Sequence, residues 1–553
     1  MMKQVSRSRI DDCVFLFVIV VLSALPYLFR LGFYSDDWDT VATFSHLSGQ
    51  RLGAMFHYLA TDPDMLLRPV QATFLVLGFK LFGRHALPYH IFNTALLGAL
   101  TVCLYLTLRE LQAQRWLGFA IALVFGLLPH YSTDRIWVSS QQAILCMTFA
   151  LIGICALFRS IRPEEHHPKM WLVLAAFALV LSILSYEVAL GLIAASVGMI
   201  AWRKYRDTRA SSRTAIGLGG IAATAAVLLL VGMIKSRMQA RLTYHHHFLT
   251  HLGALFRHGL AQALQFNLWT YGLHAPAVLV SLYRHSAISG TATVTAVLVA
   301  GLVIAYLWRY MESSAIPSRR TCLWLIVQGF AIFGLGYGLF FPGITVNFST
   351  AGIANRVAIA SAPGAAFILV AMAGLACSML KSHVARARAF SFTIGAICLA
   401  NCLIVSGIAF FWADAAAQQT AILKSVAMNA QSLPQGSVLL LDGFCRYSGP
   451  GIVFETDWDT TGAIRLALAD FSLRGDVVSP NLRFAENEVE TTLYGHKEDQ
   501  YPYGSHLFVY NIPAETLTSL PSKEAADVYL RAFNPSANSG CPEGREGDGT
   551  RAF

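Results

Sequence analysis

Residues 13–31 read CVFLFVIVVLSALPYLFRL, an apolar run with a single charge, Arg30, near its end. As a helix, this run is long enough to cross the roughly 30 Å hydrocarbon core of a bilayer. Three basic residues precede it, Lys3, Arg7 and Arg9, and no small-residue cleavage site follows it. The pattern predicts an uncleaved signal anchor whose N-terminus lies in the cytoplasm.

Ten further apolar runs follow, which predicts about 11 transmembrane helices in an all-α polytopic membrane protein. The further runs are residues 88–108, 114–129, 138–158, 170–186, 187–202, 214–234, 291–308, 321–341, 353–379 and 390–411. Charged residues make up only 13% of the 553-residue chain, against about a quarter in soluble domains. This composition excludes a soluble enzyme with one buried core, a disordered chain and a disulfide scaffold.

The basic loops between these runs fix the predicted orientation, because Lys and Arg favour the cytoplasmic side. The loops are Arg109–Arg115, Arg159–Lys169, Arg203–Arg213, Arg309–Arg320 and Lys381–Arg388. Eleven crossings place all five loops in the cytoplasm and the C-terminal part outside. With this count, two further apolar stretches, 68–83 and 262–284, do not span the membrane. Residues 262–284 are predicted to lie in the outer interface.

The charge distribution divides the chain into two predicted domains. Residues 412–553 carry 10 basic and 18 acidic residues, whereas residues 1–411 carry a net charge of +17. We therefore expect a transmembrane catalytic domain at 1–411, with external segments at 32–87 and 235–290. Strand-like and helical runs alternate in 412–553, which predicts a small extracytoplasmic α/β domain there. A basic membrane part with an acidic tail argues against nucleic acid as a partner.

The segment Tyr34-Ser35-Asp36-Asp37-Trp38-Asp39 follows the first predicted span and concentrates three carboxylates at the outer membrane surface. Like charges in a partly desolvated site raise at least one pKa and produce a better base. A second carboxylate can orient the first or hold a divalent cation. The alternative is a solvated loop start, where aspartate is common.

The surroundings of this motif resemble the GT-C superfamily of membrane glycosyltransferases, which includes protein O-mannosyltransferases and aminoarabinose transferases. The similar features are an N-terminal span, an external loop that opens with Asp36-Asp37, then Arg68-Pro69, and a span that opens with His90 and Asn93. The resemblance extends to the layout of ten or more spans with an extracytoplasmic tail. It matches no single subfamily.

The resemblance implies an inverting hexosyl- or pentosyltransferase whose donor is a polyprenyl-phosphate-linked sugar. A first-loop carboxylate would deprotonate the acceptor hydroxyl, which attacks the anomeric carbon as the lipid phosphate leaves. Asp36 is favoured as the base, with Asp37 orienting it or meeting a metal, and Asp39 keeps the assignment open. No cofactor is required by the sequence, and a divalent cation stays an option.

A departing phosphate needs cations, and residues 208–311 contain no acidic residue. Lys235, Arg237 and Arg241 lie just after the seventh predicted span and are candidate phosphate ligands. Anionic lipid headgroups, or a reversed topology, would explain them equally. The histidines between 245 and 258 could hold zinc, but polar lining of the loop fits them better because no carboxylate lies nearby.

Four more residues are candidate substrate-binding groups. Arg68 and His90 follow from the resemblance, Arg356 could meet the donor phosphate from the opposite wall, and Glu187 could ligate or pair with an arginine. A Glu–Arg pair that only ties helices together is the alternative for the last two. His130, Asp134 and Arg135 are weaker candidates.

The sequence thus predicts a multi-pass protein of a bacterial inner membrane with a periplasmic C-terminal domain, acting in cell-envelope, lipopolysaccharide or protein glycosylation. Its partners would be the lipid-linked donor, a glycolipid, polysaccharide or protein acceptor, and membrane lipids. Two alternatives stay open: a transporter or flippase of lipid-linked substrates, and a non-catalytic membrane scaffold. Cys445 and Cys541 are the only cysteines in the tail and could pair.

Overall fold

The computed structural model describes residues 2–47, 49, 52–111, 113–162, 165–206, 248–311, 317–338, 340, 348–479, 482–491 and 499–533. Helices fill most of this part up to residue 429. They are α1 (Met2–Leu28), α2 (Asp36–His46), α3 (Leu52–Thr61), α4 (Pro63–Leu66), α5 (Pro69–Phe82), α6 (Ala86–Glu110), α7 (Arg115–Leu127), α8 (Ser132–Ile136), α9 (Gln141–Ser160), α10 (Pro168–Ser185), α11 (Leu190–Arg206), α12 (Phe248–Ala263), α13 (Ala275–Arg284), α14 (Gly290–Tyr310), α15 (Arg319–Tyr337), α16 (Ala362–Cys377) and α17 (His383–Asn429).

Single turns and irregular helices join several of these elements. They are 3₁₀ helices at Pro129–Tyr131, Val138–Ser140 and Ile353–Ala360, and a π-helix at Leu264–Leu273. The π-helix and α13 cover the stretch predicted to lie in the interface. The other stretch left off the list of spans forms α5, whose 14 residues are too few to cross a bilayer.

The membrane-spanning character of the helical part is confirmed. Within the described residues, seven helices are long and apolar enough to span, and they match seven of the predicted runs. Two more runs form bent helix pairs, α7 with Pro129–Ile136 at 47° and Ile353–Ala360 with α16 at 67°. Residues 187–202 contain the shorter apolar helix Leu190–Met199. The run 214–234 lies outside the described residues, so the count of eleven stays a prediction.

Small residues let the spans approach closely where α15 crosses α16. A Cβ added to Gly364 would lie 2.4 Å from the carbonyl oxygen of Gly329, so the two backbones are in direct contact. Because lipid tails are as apolar as leucine, such close van der Waals packing is what holds membrane helices together. This contact fixes α16 and, with it, the 3₁₀ helix that precedes it.

The last helix of the bundle connects the two domains. α17 has 47 residues, about 70 Å at 1.5 Å per residue, which is more than twice the thickness of the hydrocarbon core. It begins where the Ser382 side chain accepts a hydrogen bond from the backbone N–H of Ala385. The predicted domain boundary at 411 falls inside this helix, which carries the chain out of the membrane as far as Asn429.

The C-terminal domain has the predicted α/β composition. Its main sheet has the strand order β4-β1-β8-β9, with β1 parallel to β4 and β8. The strands are β1 (Val438–Asp442), β2 (Tyr447–Ser448), β3 (Gly451–Ile452), β4 (Arg474–Val477), β5 (Leu482–Phe484), β6 (Glu488–Thr491), β7 (Gln500–Pro502), β8 (Leu507–Asn511) and β9 (Thr516–Ser519); the helices are α18 (Asp457–Leu468) and α19 (Lys523–Phe533). Cys445 is disulfide-bonded, and its predicted partner Cys541 lies outside the described residues.

Candidate active site

The turn between α1 and α2 leads into the acidic motif and is held by three other parts of the chain. His90 on α6 forms a 2.8 Å hydrogen bond between Nε2 and the Gly32 carbonyl oxygen. The Tyr34 hydroxyl donates to the carbonyl oxygen of Trp412 on α17 at 2.8 Å, and the Trp137 indole N–H donates to the Tyr34 carbonyl oxygen at 2.9 Å. The backbone is therefore fixed before the first aspartate.

The predicted substrate-binding role of His90 is wrong. Its side chain has no exposed surface, so it cannot touch a substrate in this arrangement. Its hydrogen bond to the Gly32 carbonyl oxygen instead makes it a positioning residue for the turn. His90 lies near the start of the second predicted span, as the sequence indicated. A histidine in this position can point into the protein interior as readily as into a cleft.

Ser35 has an unusual backbone conformation directly before α2. Its φ of 46° and ψ of −124° lie in a region that residues with a Cβ rarely occupy. Such a conformation costs on the order of 1–3 kcal/mol and persists only where the surroundings impose it. Here the pinned turn on one side and α2 on the other impose it, and together they direct the Asp36 side chain outward.

Asp37 uses its carboxylate to hold the turn. One oxygen accepts hydrogen bonds from the Ser139 backbone N–H at 2.8 Å and the Ser139 hydroxyl at 2.5 Å, and the other accepts from the Tyr34 N–H at 3.1 Å. The side chain is 2% exposed. Desolvation raises the pKa of Asp37 to about 7 despite these hydrogen bonds.

Asp37 was predicted to orient Asp36 or to meet a metal, and its hydrogen bonds agree with the first role. Both of its oxygens accept hydrogen bonds from the protein. Among the described residues, no group of three or more His, Cys, Asp or Glu side chains is arranged to hold a metal ion. Asp37 is a positioning residue for the turn that carries Asp36.

Asp36 is the acid of the motif that stays accessible. Its side chain is exposed, and its one nearby hydrogen-bond donor is the Ser35 hydroxyl at 3.4 Å. Protein still surrounds it on most sides at longer range, and this desolvation raises the pKa of Asp36 above its ordinary value. The guanidinium of Arg356 opposes the rise. An accessible carboxylate with a raised pKa is what a general base requires.

Asp39, the third acid of the motif, has a different partner. The Tyr58 hydroxyl on α3 donates a 2.6 Å hydrogen bond to its carboxylate. Desolvation raises the pKa of Asp39, and this hydrogen bond and the Arg465 charge lower it. The Tyr58 hydroxyl thus engages Asp39, and the choice of the base between Asp36 and Asp39 stays a prediction.

Arg356 reaches the acidic motif from the opposite side of the bundle. Its guanidinium lies over the ring of Trp137, 5.1 Å from the centroid, and its charge acts on both Asp36 and Tyr186. Arg356 and Asp36 are thus within electrostatic range of each other, and the donor-phosphate role of Arg356 stays a prediction. Their side chains come from segments more than 300 residues apart.

Asn355 fixes the position of its neighbour Arg356. Its amide nitrogen donates to the carbonyl oxygens of His130 and Thr350, both at 2.8 Å. Its amide oxygen accepts from the Ser132 hydroxyl and the Thr133 N–H, both at 3.3 Å. A buried amide with four hydrogen bonds ties the 3₁₀ helix Ile353–Ala360 to the loop after α7.

Arg68 and Glu187 form a second charged group beside the first. They make a 3.5 Å ion pair between the N-terminus of α5 and the segment after α10, and Arg68 also lies 4.7 Å from the ring centroid of Tyr186. Tyr186 is influenced by both Arg356 and Arg68, so the two arginines border one site. Glu187 therefore pairs with Arg68 rather than with Arg356, and both side chains of the pair stay partly exposed.

The C-terminal domain contributes Glu455, which sequence reasoning missed. Its carboxylate accepts a 2.6 Å hydrogen bond from the Tyr447 hydroxyl, and the Arg446 guanidinium holds its carbonyl oxygen at 2.9 Å. Desolvation raises the pKa of Glu455; Asp36 raises it further and Arg356 lowers it. No local motif marks this glutamate, because only the docking of the two domains brings it to Asp36.

α18 of the same domain packs directly on α2. The Trp458 indole N–H points at the Ser35 hydroxyl at 3.4 Å, and that hydroxyl in turn points at Asp36. Asp459 accepts hydrogen bonds from the N–H groups of Glu455 and Thr456, which starts α18 and fixes the backbone of Glu455. The Asp457-Trp458-Asp459 sequence of α18 therefore contacts the acidic motif after α1 through Trp458.

Asp134 lies on the buried side of the site. It is fully buried on α8, and neither of its carboxylate oxygens has a hydrogen-bond partner within the described part of the chain. The charges of Arg356 and Arg135 act on it. The Ser140 side chain lies close enough to act on this carboxylate as well, and the burial of an acid beside two arginines keeps Asp134 a candidate residue of the site.

Several predicted residues cannot be placed. Lys235, Arg237 and Arg241 lie outside the described residues, as do the histidines from 245 to 247. Arg257 and His258 on α12 are described and exposed, and the His258 ring lies 3.1 Å from the side-chain amide of Gln262. The predicted role of the first three as phosphate ligands stays a prediction.

No protein-family model and no curated protein matches the chain. Among solved structures, ArnT from Cupriavidus metallidurans bound to undecaprenyl phosphate is 12% identical, with a TM-score of 0.35, and the match covers 83% of this chain and 84% of that chain. The apo state of the same protein is 13% identical over the same shares of both chains, with a TM-score of 0.33. Likeness at this level does not by itself establish a shared fold or activity.

Proposed function

We propose that this protein is an integral-membrane glycosyltransferase of the GT-C type. It moves a sugar from a polyprenyl-phosphate donor to an acceptor hydroxyl at the end of the bundle that carries the C-terminal domain. The observation that carries the proposal is Asp36: an accessible carboxylate of raised pKa, held by a pinned turn opposite Arg356. The donor class comes from the sequence resemblance around Asp36-Asp37.

The reaction needs one base and one place for developing negative charge. Asp36 accepts the proton of the acceptor hydroxyl, and the hydroxyl oxygen forms a bond to the anomeric carbon from the face opposite the leaving group. The bond between that carbon and the phosphate oxygen breaks with its electron pair, so the configuration inverts. The products are the glycoside, protonated Asp36 and the polyprenyl phosphate.

Arg356 is the group that we assign to the leaving phosphate. Its guanidinium lies against the ring of Trp137 and acts on Asp36 through its charge, without forming a closed ion pair with Asp36. Charge-assisted hydrogen bonds from a fixed guanidinium strengthen as the phosphate gains charge, which lowers the barrier to the bond-breaking step. Asn355 keeps this guanidinium in place.

The remaining charged groups lie around the proposed site. The Arg68–Glu187 pair approaches from α5 and the segment after α10, and the buried Glu455 of the C-terminal domain acts on Asp36 through its charge. Carboxylates and guanidiniums are the groups that bind sugar hydroxyls and phosphates through hydrogen bonds. We assign Arg68 and Glu187 to substrate binding and propose cell-envelope glycan, lipid or protein glycosylation as the process.

A strain that lacks the gene for this chain tests the proposal. Lipid-linked sugars and surface glycans are compared by mass spectrometry in the deletion strain, and in the same strain carrying the wild-type gene. We expect a glycan that is short by one sugar, accumulation of the donor lipid, and restoration of both by the wild-type gene. Identical glycan and lipid profiles in the two strains would contradict a transferase and favour the scaffold alternative.

A further inference from the structure

A cleft lies beside the turn that precedes α2. It has a volume of about 430 Å³ and is lined by the segment after α1, the start of α6 and the middle of α17. Arg30, Gly32 and Trp38 form one wall and Arg84 and Ala86 a second. The third wall comes from α17 and consists of Ala413, Ala416, Ala417, Gln419 and Thr420. Asp36, Arg356 and Glu455 are not part of its lining, so it is distinct from the candidate active site.

The charge of this cleft is positive. Arg30 and Arg84 both line it and are exposed, and among the described residues that line it none is acidic. The neighbouring Asp414 on α17 accepts hydrogen bonds from Gln418 and from the Ser448 hydroxyl of the C-terminal domain, and it is not one of the lining residues. Two guanidiniums without a lining carboxylate favour an anionic ligand.

Two further donors lie at the same place. The cleft reaches Ala86, the first residue of the 25-residue helix α6, and the N-cap residue His85 makes no side-chain hydrogen bond to the first turn. The N–H groups at such a helix start attract anions. The buried indole N–H of Trp38 also has no hydrogen-bond partner within the described residues.

The cleft lies at the level of lipid headgroups. The apolar segment of α1 that can span the membrane ends at Leu28, and the next two residues, Phe29 and Arg30, line the cleft. Phe29 is 67% exposed and Leu81, near the end of α5, is 76% exposed. Exposed apolar side chains beside paired arginines match the boundary between acyl chains and phosphates.

We infer that this cleft binds the phosphate group of an anionic lipid, with Arg30 and Arg84 contacting the phosphate and the acyl chains lying along α1 and α5. The inference goes beyond the proposed function, because it concerns a second site with its own ligand. Trp38 lines the cleft and belongs to α2, the helix that begins with Asp36. Lipid bound in the cleft therefore contacts the helix that carries the proposed base.

Native mass spectrometry on the full-length protein in a neutral detergent tests this site without any transfer reaction. The protein is titrated with phosphatidylglycerol, and with dioleoylglycerol as a lipid that lacks the phosphate. We expect the double variant Arg30→Gln/Arg84→Gln to bind phosphatidylglycerol at least about tenfold more weakly than the wild type. Lys80→Gln, an exposed basic residue of α5 outside the cleft, is the matched control and should bind like the wild type.

Equal binding of phosphatidylglycerol by the wild type and the double variant would overturn the inference, as would equal binding of dioleoylglycerol and phosphatidylglycerol. Competition by inorganic phosphate would identify the phosphate group alone as sufficient, and competition only by excess phosphatidylglycerol would identify the whole lipid as the ligand.

Two further variants separate this site from folding and from catalysis. Arg84 also donates a hydrogen bond to the Ser45 hydroxyl, so if the double variant does not fold, the single change Arg30→Gln carries the same comparison. Asp36→Asn should bind phosphatidylglycerol like the wild type, which keeps failure of this inference distinct from failure of the proposed function.

Discussion

At the scale of residues, three neighbouring aspartates have three different environments. Asp37 is buried with three hydrogen bonds, Asp39 is half-buried and bound by Tyr58, and Asp36 is the most exposed of the three and lies within range of the Arg356 charge. Environment rather than residue type separates a structural acid from a reactive one. The sequence could show that acids gather here, but the partner of each depends on Ser139 and Tyr58, which no spacing rule connects to them.

The change Asp37→Asn should destabilise the protein. Donors approach both of its oxygens, so an asparagine must turn its NH₂ group toward either Ser139 or the Tyr34 N–H. An unpaired buried donor costs about 1–3 kcal/mol. We expect a lower thermal midpoint in detergent, measured by the loss of monodisperse protein on heating, and Asp11→Asn, at an exposed position on α1, should leave it unchanged. An unaltered midpoint for Asp37→Asn would contradict the positioning role.

The rate of transfer should depend on pH through Asp36. A base must be ionised, and desolvation by the surrounding protein raises the pKa of Asp36 above its ordinary value of about 4, so the rate should fall as the pH drops through the raised pKa. The donor, a phosphodiester, stays ionised throughout. Initial rates in isolated membranes between pH 4 and pH 8 measure this, and a rate that does not change with pH over that range would exclude Asp36 as the base.

At the scale of elements, the contact between α2 and α18 joins the two domains at the site. A Cβ added to Gly462 on α18 would lie 2.5 Å from both the carbonyl carbon and the carbonyl oxygen of Trp38. The two helices therefore touch backbone to backbone, and Trp38 packs near Phe454 with 6.4 Å between ring centroids. This contact brings Glu455 to Asp36 and explains why Gly462 stands in the middle of a helix, where glycine is otherwise unfavourable.

Gly462→Ala should therefore reduce transfer by pushing α18 off α2. Overpacking of a close contact costs about 1–3 kcal/mol, which corresponds to roughly fivefold to 150-fold in the population of the docked arrangement. Gly504→Ala, in a turn where an added Cβ would meet nothing within 4 Å, is the matched control. Equal transfer rates for the two variants would show that the docking of α18 does not matter for activity.

The elements themselves were largely predictable. Apolar length identified the spans, because a bilayer imposes one length on every helix that crosses it. It did not predict the bends at Leu128 and Ser361, where two spans break, or the continuation of α17 to Asn429. These features depend on packing against other helices and on contacts with a soluble domain. The hydropathy of a segment gives no information on either.

At the scale of the whole molecule, the site forms where four distant segments meet. Asp36 follows α1, Arg68 begins α5, Arg356 precedes α16 and Glu455 belongs to the C-terminal domain. Asp36 and Arg356 were candidates because each is a charge near the end of an apolar run, where ionisable residues are expensive, and Arg68 was a candidate because of the family resemblance. The sequence could not find Glu455, since an acid in a soluble domain is unremarkable until the domain docks.

A reporter protein fused after Phe553 tests the orientation of the assembly. The site and the C-terminal domain share one end of the bundle, and the basic loops predict that this end faces the periplasm. We expect alkaline phosphatase in this position to be active and green fluorescent protein to be dark. The opposite pair of signals would reverse the predicted topology and place the site in the cytoplasm.

The central claim is that Asp36 is the base, and one comparison of two substitutions on the same helix tests it most directly. The deletion strain is complemented with Asp36→Asn or with Asp39→Asn, and the sugar missing from its glycan is measured by mass spectrometry. Both proteins should reach the membrane in wild-type amounts, since Asp36 is exposed and Asp39 keeps an amide oxygen for Tyr58. We predict that Asp39→Asn restores the sugar and that Asp36→Asn leaves the glycan short and the donor lipid accumulated. A full-length glycan with Asp36→Asn would show that this carboxylate is not the base.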